Sequence, residues 1–173
     1  YCRIPMGPIT AQKLADLFSA VMPTRKLVDD IYVNAEIKLE PVTYAPVGNQ
    51  NELVAKFVQH NSDIEQQRIN ANGVLGQLVG GIKKDVVLSN KITDPNRPNH
   101  VVIYVWHWLT VDPIQPLTNI HFDYYVDYSH GIRLLNAQIL IDGEVKIITE
   151  ILKTQILYKI LSDEFGIMTQ PTY

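Results

Sequence analysis

The sequence predicts an α+β domain, with N-terminal helices packed on a mixed or antiparallel β-sheet formed mainly by the second half. Two observations carry this. Apolar residues recur at spacings of three and four through residues 10–70, and runs rich in Val, Ile, Tyr and Trp fill residues 85–148. Helices grouped ahead of strands argue against a doubly wound sheet, where the two alternate.

In chain order, Thr10 reads as the N-cap of a helix over 11–20, whose stripe is Leu14, Ala15, Phe18 and Val21. Pro23 stops it, and Thr24 caps a second helix over 25–35 carrying Leu27, Val28, Ile31, Tyr32 and Ala35. Residues 41–50, with two prolines and a glycine, read as a loop. A third helix is predicted over 52–68 with Asn51 as its cap. Its apolar side is Leu53, Val54, Phe57, Val58 and Ile64. Glycines at 73, 76, 80 and 81 then break regular structure, and strand-like sequence begins at Asp85. Residues 101–108 read as a strand covered on both faces, because almost nothing polar interrupts them. Residues 124–135 read as extended. Residues 138–148 read as a hairpin turning on Asp142-Gly143, a pair suited to left-handed backbone. Ile151, Leu152, Ile156, Leu157 and Ile160 predict a closing helix over 149–161.

Composition narrows the function classes. The chain has 173 residues, 46% hydrophobic and 19% charged, enough apolar content for a packed core in one domain. Its net charge of −3, with Lys and Arg scattered, supplies no electrostatic footprint for nucleic acid. No apolar run approaches the roughly 20 residues that span a bilayer. Cys2 has no second cysteine to pair with. It precedes Pro5 and Pro8, away from any helix start, which argues against a nucleophile. The chain opens at Tyr1 on mid-domain sequence, so residues 1–173 read as a single domain from a longer chain. The reading leans to a secreted or cell-envelope setting.

The polar residues richest in chemical potential lie in 127–133, Asp-Tyr-Ser-His-Gly-Ile-Arg. In an extended chain, alternation sets Asp127, Ser129 and Arg133 on one face and His130 on the other, so adjacent Ser129 and His130 point apart. His107 ends a buried strand, a rigid place for a general base, with Trp108 next to it as a stacking surface. Asp85 or Asp127 is the carboxylate expected to orient it. Lys84 and Arg133 are candidates to steady negative charge, and His60 and Asn61 line a helix border that could face the substrate. His107, His121 and His130 include enough imidazole for a metal site, but no pair has compact helical ligand spacing. The glycines match neither the P-loop nor the dinucleotide fingerprint, so no cofactor is named by motif.

Several segments taken together resemble a family of uncharacterised, mostly bacterial proteins. They are Pro23-Thr24-Arg25-Lys26-Leu27-Val28-Asp29, Lys83-Lys84-Asp85-Val86-Val87, Trp106-His107 and Asp127-Tyr128-Ser129-His130-Gly131-Ile132-Arg133. The similarity spans nearly the whole chain and implies no activity. The family pattern has His where Ile82 stands and Gly where Val105 stands. The resemblance therefore implies an impaired chain if that His acts, and a crowded cleft beside His107.

The leading expectation is a hydrolase-like domain acting on an extracellular or cell-envelope polymer, its partner a polymeric or small-molecule substrate. In it His107 is the base, Ser129 or a water attacks, and His130, Asp85 and Asp127 complete a polar cleft. The alternatives are a non-catalytic binding or assembly module, self-associating through its tyrosines, and a metal-dependent enzyme with His107, His121 and His130 as ligands.

Overall fold

The computed structural model describes residues 2–173. It is an α+β fold, 31% helix and 24% strand, in which helices flank a mixed sheet.

Helix α1 spans Pro8–Leu17. It starts three residues before the expected position because Pro8 occupies its first turn, where a missing N–H costs nothing, so Gly7 rather than Thr10 is the cap. Strand β1 is Ala20–Val21 and α2 is Arg25–Asn34. The Thr24 hydroxyl caps α2, accepting from the Leu27 amide at 3.3 Å while donating to the Leu161 carbonyl. After β2 (Ile37–Lys38), α3 spans Val54–Asn70, entered through a 3₁₀ turn at Gln50–Glu52. The expected Asn51 cap is absent, since the turn displaces the helix start to Val54. Of the expected apolar side only Ile64 is fully buried; Leu53, Val54 and Val58 are exposed, and α3 buries His60 beside Ile64.

Strands β3 (Val79–Gly80), β4 (Lys84–Val86), β5 (His100–His107) and β6 (Pro113–Phe122) follow. Then come β7 (His130–Gly131), β8 (Leu135–Asn136), β9 (Gln138–Ile141) and β10 (Glu144–Ile147). The chain ends on α4 (Ile148–Leu152) and α5 (Tyr158–Leu161). The single closing helix expected over 149–161 is thus two short ones, broken by a turn that leaves Ile156 in solvent.

The main sheet has the order β6-β5-β4-β7. Its β4–β5 and β5–β6 pairs are antiparallel, and β4–β7 is parallel with Lys84 opposite His130 and Asp85 opposite Gly131. Gly131 is required there: a Cβ would come within 2.8 Å of the Lys83 Cβ. Alternation along β4 and β5 builds two cores. Val86, Leu88, Val101 and Ile103 pack with Ala11, Ile148, Ile151, Leu152 and Leu161, whereas Val87, Val102, Tyr104 and Val105 pack with Val28 of α2. The hairpin forms as expected, β9 and β10 pairing across Asp142 (φ 52°) and Gly143 (φ 84°).

Strand β5 is irregular at its end. The β5–β6 register shifts twice, and Val105 and Trp106 have φ of 82° and 87°. Left-handed backbone at a β-branched residue is strained, and it breaks the alternation expected along this strand. Residues 124–135 are not one extended stretch; they fold into a turn ahead of the two residues of β7.

Candidate functional site

The predicted site residues gather into three groups. At the end of β5, His107 Nε2–H donates to Asp29 Oδ1 at 2.9 Å, and the Tyr104 hydroxyl donates to Asp29 Oδ2 at 3.1 Å. The carboxylate that orients His107 is therefore Asp29 on α2, not Asp85 or Asp127. Tyr32 stacks on the imidazole with ring centroids 4.1 Å apart. The space beside His107, bounded by Tyr32, Asp85, Val105 and Arg133, is a void of about 10 Å³. That volume holds about one water molecule and no substrate. Trp108 lies just beyond the strand, half exposed, its carbonyl accepting from the Tyr32 hydroxyl at 2.8 Å. Trp106 is buried, donating to the Gly81 carbonyl at 3.1 Å.

The second group is the turn before β7. Asp127 Oδ1 accepts from the Ser129 amide at 2.8 Å and from the Ser129 hydroxyl at 2.6 Å, while the Tyr125 hydroxyl donates to Oδ2 at 3.2 Å. His130 Nδ1 lies 3.0 Å from the Asp127 amide and 3.2 Å from Oδ1. Burial pushes the Asp127 carboxyl up. The His130 contact and the Ser129 hydroxyl and amide outweigh it and hold the group well below the ordinary value. The turn brings Asp127 to both Ser129 and His130, where strand alternation had put His130 on the opposite face. Ser129 and His130 are each only 1% exposed, and the Ser129 hydroxyl is committed to a carboxylate rather than a base. This is the geometry of a structural turn, not of a nucleophile awaiting a substrate. His121 stacks on Tyr125, its ring 6.2 Å from that of His130, while His107 is committed to Asp29. The three-histidine metal site is not assembled, and among the described residues no group of three His, Cys, Asp or Glu side chains could hold a metal ion.

The third group surrounds a cavity of about 470 Å³ between residues 2–6, α1, β4 and the strand end at 131–134. Ile4, Met6, Leu14, Ile82, Ile132 and Leu134 give it apolar walls; Cys2, Arg3, Lys83, Asp85 and Arg133 supply the polar ones. The N-terminal segment is held down by Arg3, which pairs with Glu65 at 2.5 Å and donates twice to Asn61 Oδ1. Asn61 is thus a tether for this wall. Asp85 is buried, its Oδ2 3.7 Å from Arg133 Nε; burial pushes the carboxyl up against the pull of Arg133. Arg133 Nη2 donates to the Val79 carbonyl at 3.2 Å, but its buried Nε–H has no acceptor within hydrogen-bond distance.

Behind Lys83 lies His60, fully buried rather than on a helix border, with Nδ1 3.3 Å from Lys83 Nζ. Burial, reinforced by Lys83, pushes His60 down to about 3, so its ring is neutral near pH 7. Lys83 Nζ also donates to the Tyr128 carbonyl. Burial pushes this amine down to about 8. Lys84 turns away from Lys83 towards Trp106, its Nζ 5.9 Å from that ring. Sequence reasoning singled out Lys84 and passed over Lys83, Asp29 and the wall formed by residues 2–6. The Lys83-Lys84-Asp85 run and Arg133 pointed near the cavity.

No protein-family model, curated protein or solved structure matches this chain.

Proposed function

We propose that this chain is a small-molecule binding domain whose cavity takes an amphipathic compound carrying one carboxylate. The observation that carries the reading is a cavity of about 470 Å³, walled mainly by aliphatic side chains, to which Arg133 contributes a guanidinium whose partner carboxylate, Asp85, lies 3.7 Å away, beyond hydrogen-bond distance. Charge supports it. Arg133 faces the single carboxylate Asp85, and Arg3 shares Glu65 with Arg68, so the cavity rim is richer in positive than in negative groups, which suits an anion. The geometry favours this binding reading over the hydrolase expectation, because Ser129 and His130 are sealed and His107 faces only a water-sized void.

Octanoate is the test ligand, with octanol and octylammonium as controls. An eight-carbon acid in such a site is expected to bind with Kd of about 0.1–1 mM. At tenfold excess over Kd it adds about 1.4 kcal/mol and raises Tm by a few degrees. Arg133→Met should remove the preference for octanoate over octanol. Equal shifts from all three ligands, or an unchanged preference in Arg133→Met, would refute the proposal.

A further inference from the structure

Lys83 is buried and lines the cavity, its amine set between the Tyr128 carbonyl and the His60 ring. Its surroundings distinguish it from a structural lysine. An ammonium group has three N–H bonds and seeks three acceptors or a carboxylate. The described residues offer Lys83 two hydrogen-bonding partners, the Tyr128 carbonyl and the Nδ1 of a neutral His60. Two acceptors match the two N–H bonds of an uncharged amine and leave the remaining tetrahedral position for its lone pair. Among the described residues no carboxylate pairs with Lys83: Asp127 is bound up with Ser129 and His130, and Asp85 with Arg133.

We infer that Lys83 is a carbonyl-reactive amine that captures a keto or aldehydo acid in the cavity as a reversible imine. The inference deepens the binding proposal and rests on it for the position of the carboxylate, which Arg133 would hold. In the first step the Lys83 lone pair attacks the carbonyl carbon; the C–N bond forms as the C=O π pair moves to oxygen, and one amine proton follows it. In the second, that hydroxyl leaves as water with a proton from the Asp85 carboxyl, which burial inclines to hold one. The nitrogen lone pair closes the C=N bond, and the second N–H proton returns to Asp85. Amine and carbonyl become imine and water with no other reactant. The lowered basicity of Lys83 supports the chemistry, since near pH 7 far more of it is uncharged than of an ordinary lysine.

The test is reductive trapping on the unmodified chain: 2-oxooctanoate with cyanoborohydride near neutral pH, then peptide mapping of the modified lysines. Lys83 is expected to label about 10-fold faster than the exposed Lys13 and Lys159 despite its burial, and octanoate should protect it. Asp85→Asn, checked for folding by circular dichroism, should slow labelling at Lys83 and leave Lys13 unchanged. If octanoate binds but Lys83 labels no faster than Lys13, the imine is overturned and the binding proposal stands. Fast labelling of Lys83 that octanoate neither competes with nor binds beside would uphold the amine and overturn the carboxylate site. Slow labelling together with no octanoate binding would overturn both.

Discussion

The end of β5 allows two chemically identical substitutions to be compared in opposite backbone settings. Val102 and Val105 lie in the same strand, are 0% and 2% exposed, and pack in the same cluster. Removing either side chain to glycine loses about 2–3 kcal/mol of packing and adds about 0.5–1 kcal/mol of backbone entropy. For Val102, which lies outside the positive-φ residues, the expected cost is therefore about 2.5–4 kcal/mol. At Val105 the φ of 82° is one that glycine adopts freely, so Val105→Gly recovers about 1–3 kcal/mol of strain and its net cost centres on about 1 kcal/mol, below that of Val102→Gly. The assay is urea unfolding followed by tryptophan fluorescence, with stabilities from linear extrapolation at equal m-values. Equal losses for the two variants would show that Val105 is not strained and would remove the physical reason for a glycine there.

Two further perturbations test the polar groups. Asp127→Asn keeps an acceptor for Ser129 but removes the charge, and should cost about 1.5–3 kcal/mol at neutral pH by chemical denaturation. The carboxyl is depressed in the folded state, so this contribution is full above the unfolded value near pH 4 and fades as pH falls below it; a loss under about 0.5 kcal/mol at pH 7 would count against the turn. His60 is held neutral, so the unfolded chain takes up a proton that the folded one refuses as pH drops from about 6.5 towards about 3. Stability should decline through that window, and a foldable His60→Gln variant should show a flatter decline; parallel curves would mean His60 titrates normally.

Local signals are legible only in part: Thr10 and Asn51 do not cap their helices and the closing helix splits in two, but other local signals hold. Thr24 and the periodicity behind it define α2, and Asp142-Gly143 defines the hairpin, because each depends on neighbours within a few residues. What depends on distant partners was not legible. The partner of His107 is Asp29, 78 positions away, on a helix whose amphipathic pattern says nothing about which carboxylate faces a strand end. Helix α3 has the reverse problem: Val54 and Val58 look like its core face, but the Lys83 amine draws His60 inward and rotates them out. Strand β6 is not legible in the sequence because Pro113 and Pro116 blur its pattern, which an edge strand tolerates. The candidate site was legible only through the neighbourhood of Lys84, Asp85 and Arg133. Its fourth wall, residues 2–6, carries no periodic signal at all.

Tyr173 has a consequence for how this molecule comes into being. Its hydroxyl accepts from the Val102 amide and donates to the Val87 carbonyl, clasping the middle of the sheet, while its amide reaches back to Gln12 on α1. Strand β1 likewise waits for β8, and Thr24 for the Leu161 carbonyl. Such high contact order makes folding slow, and a nascent chain on the ribosome cannot complete these clasps until residue 173 has cleared the exit tunnel. During synthesis the Val-rich strands stay unclasped, the interval in which a chaperone would matter most.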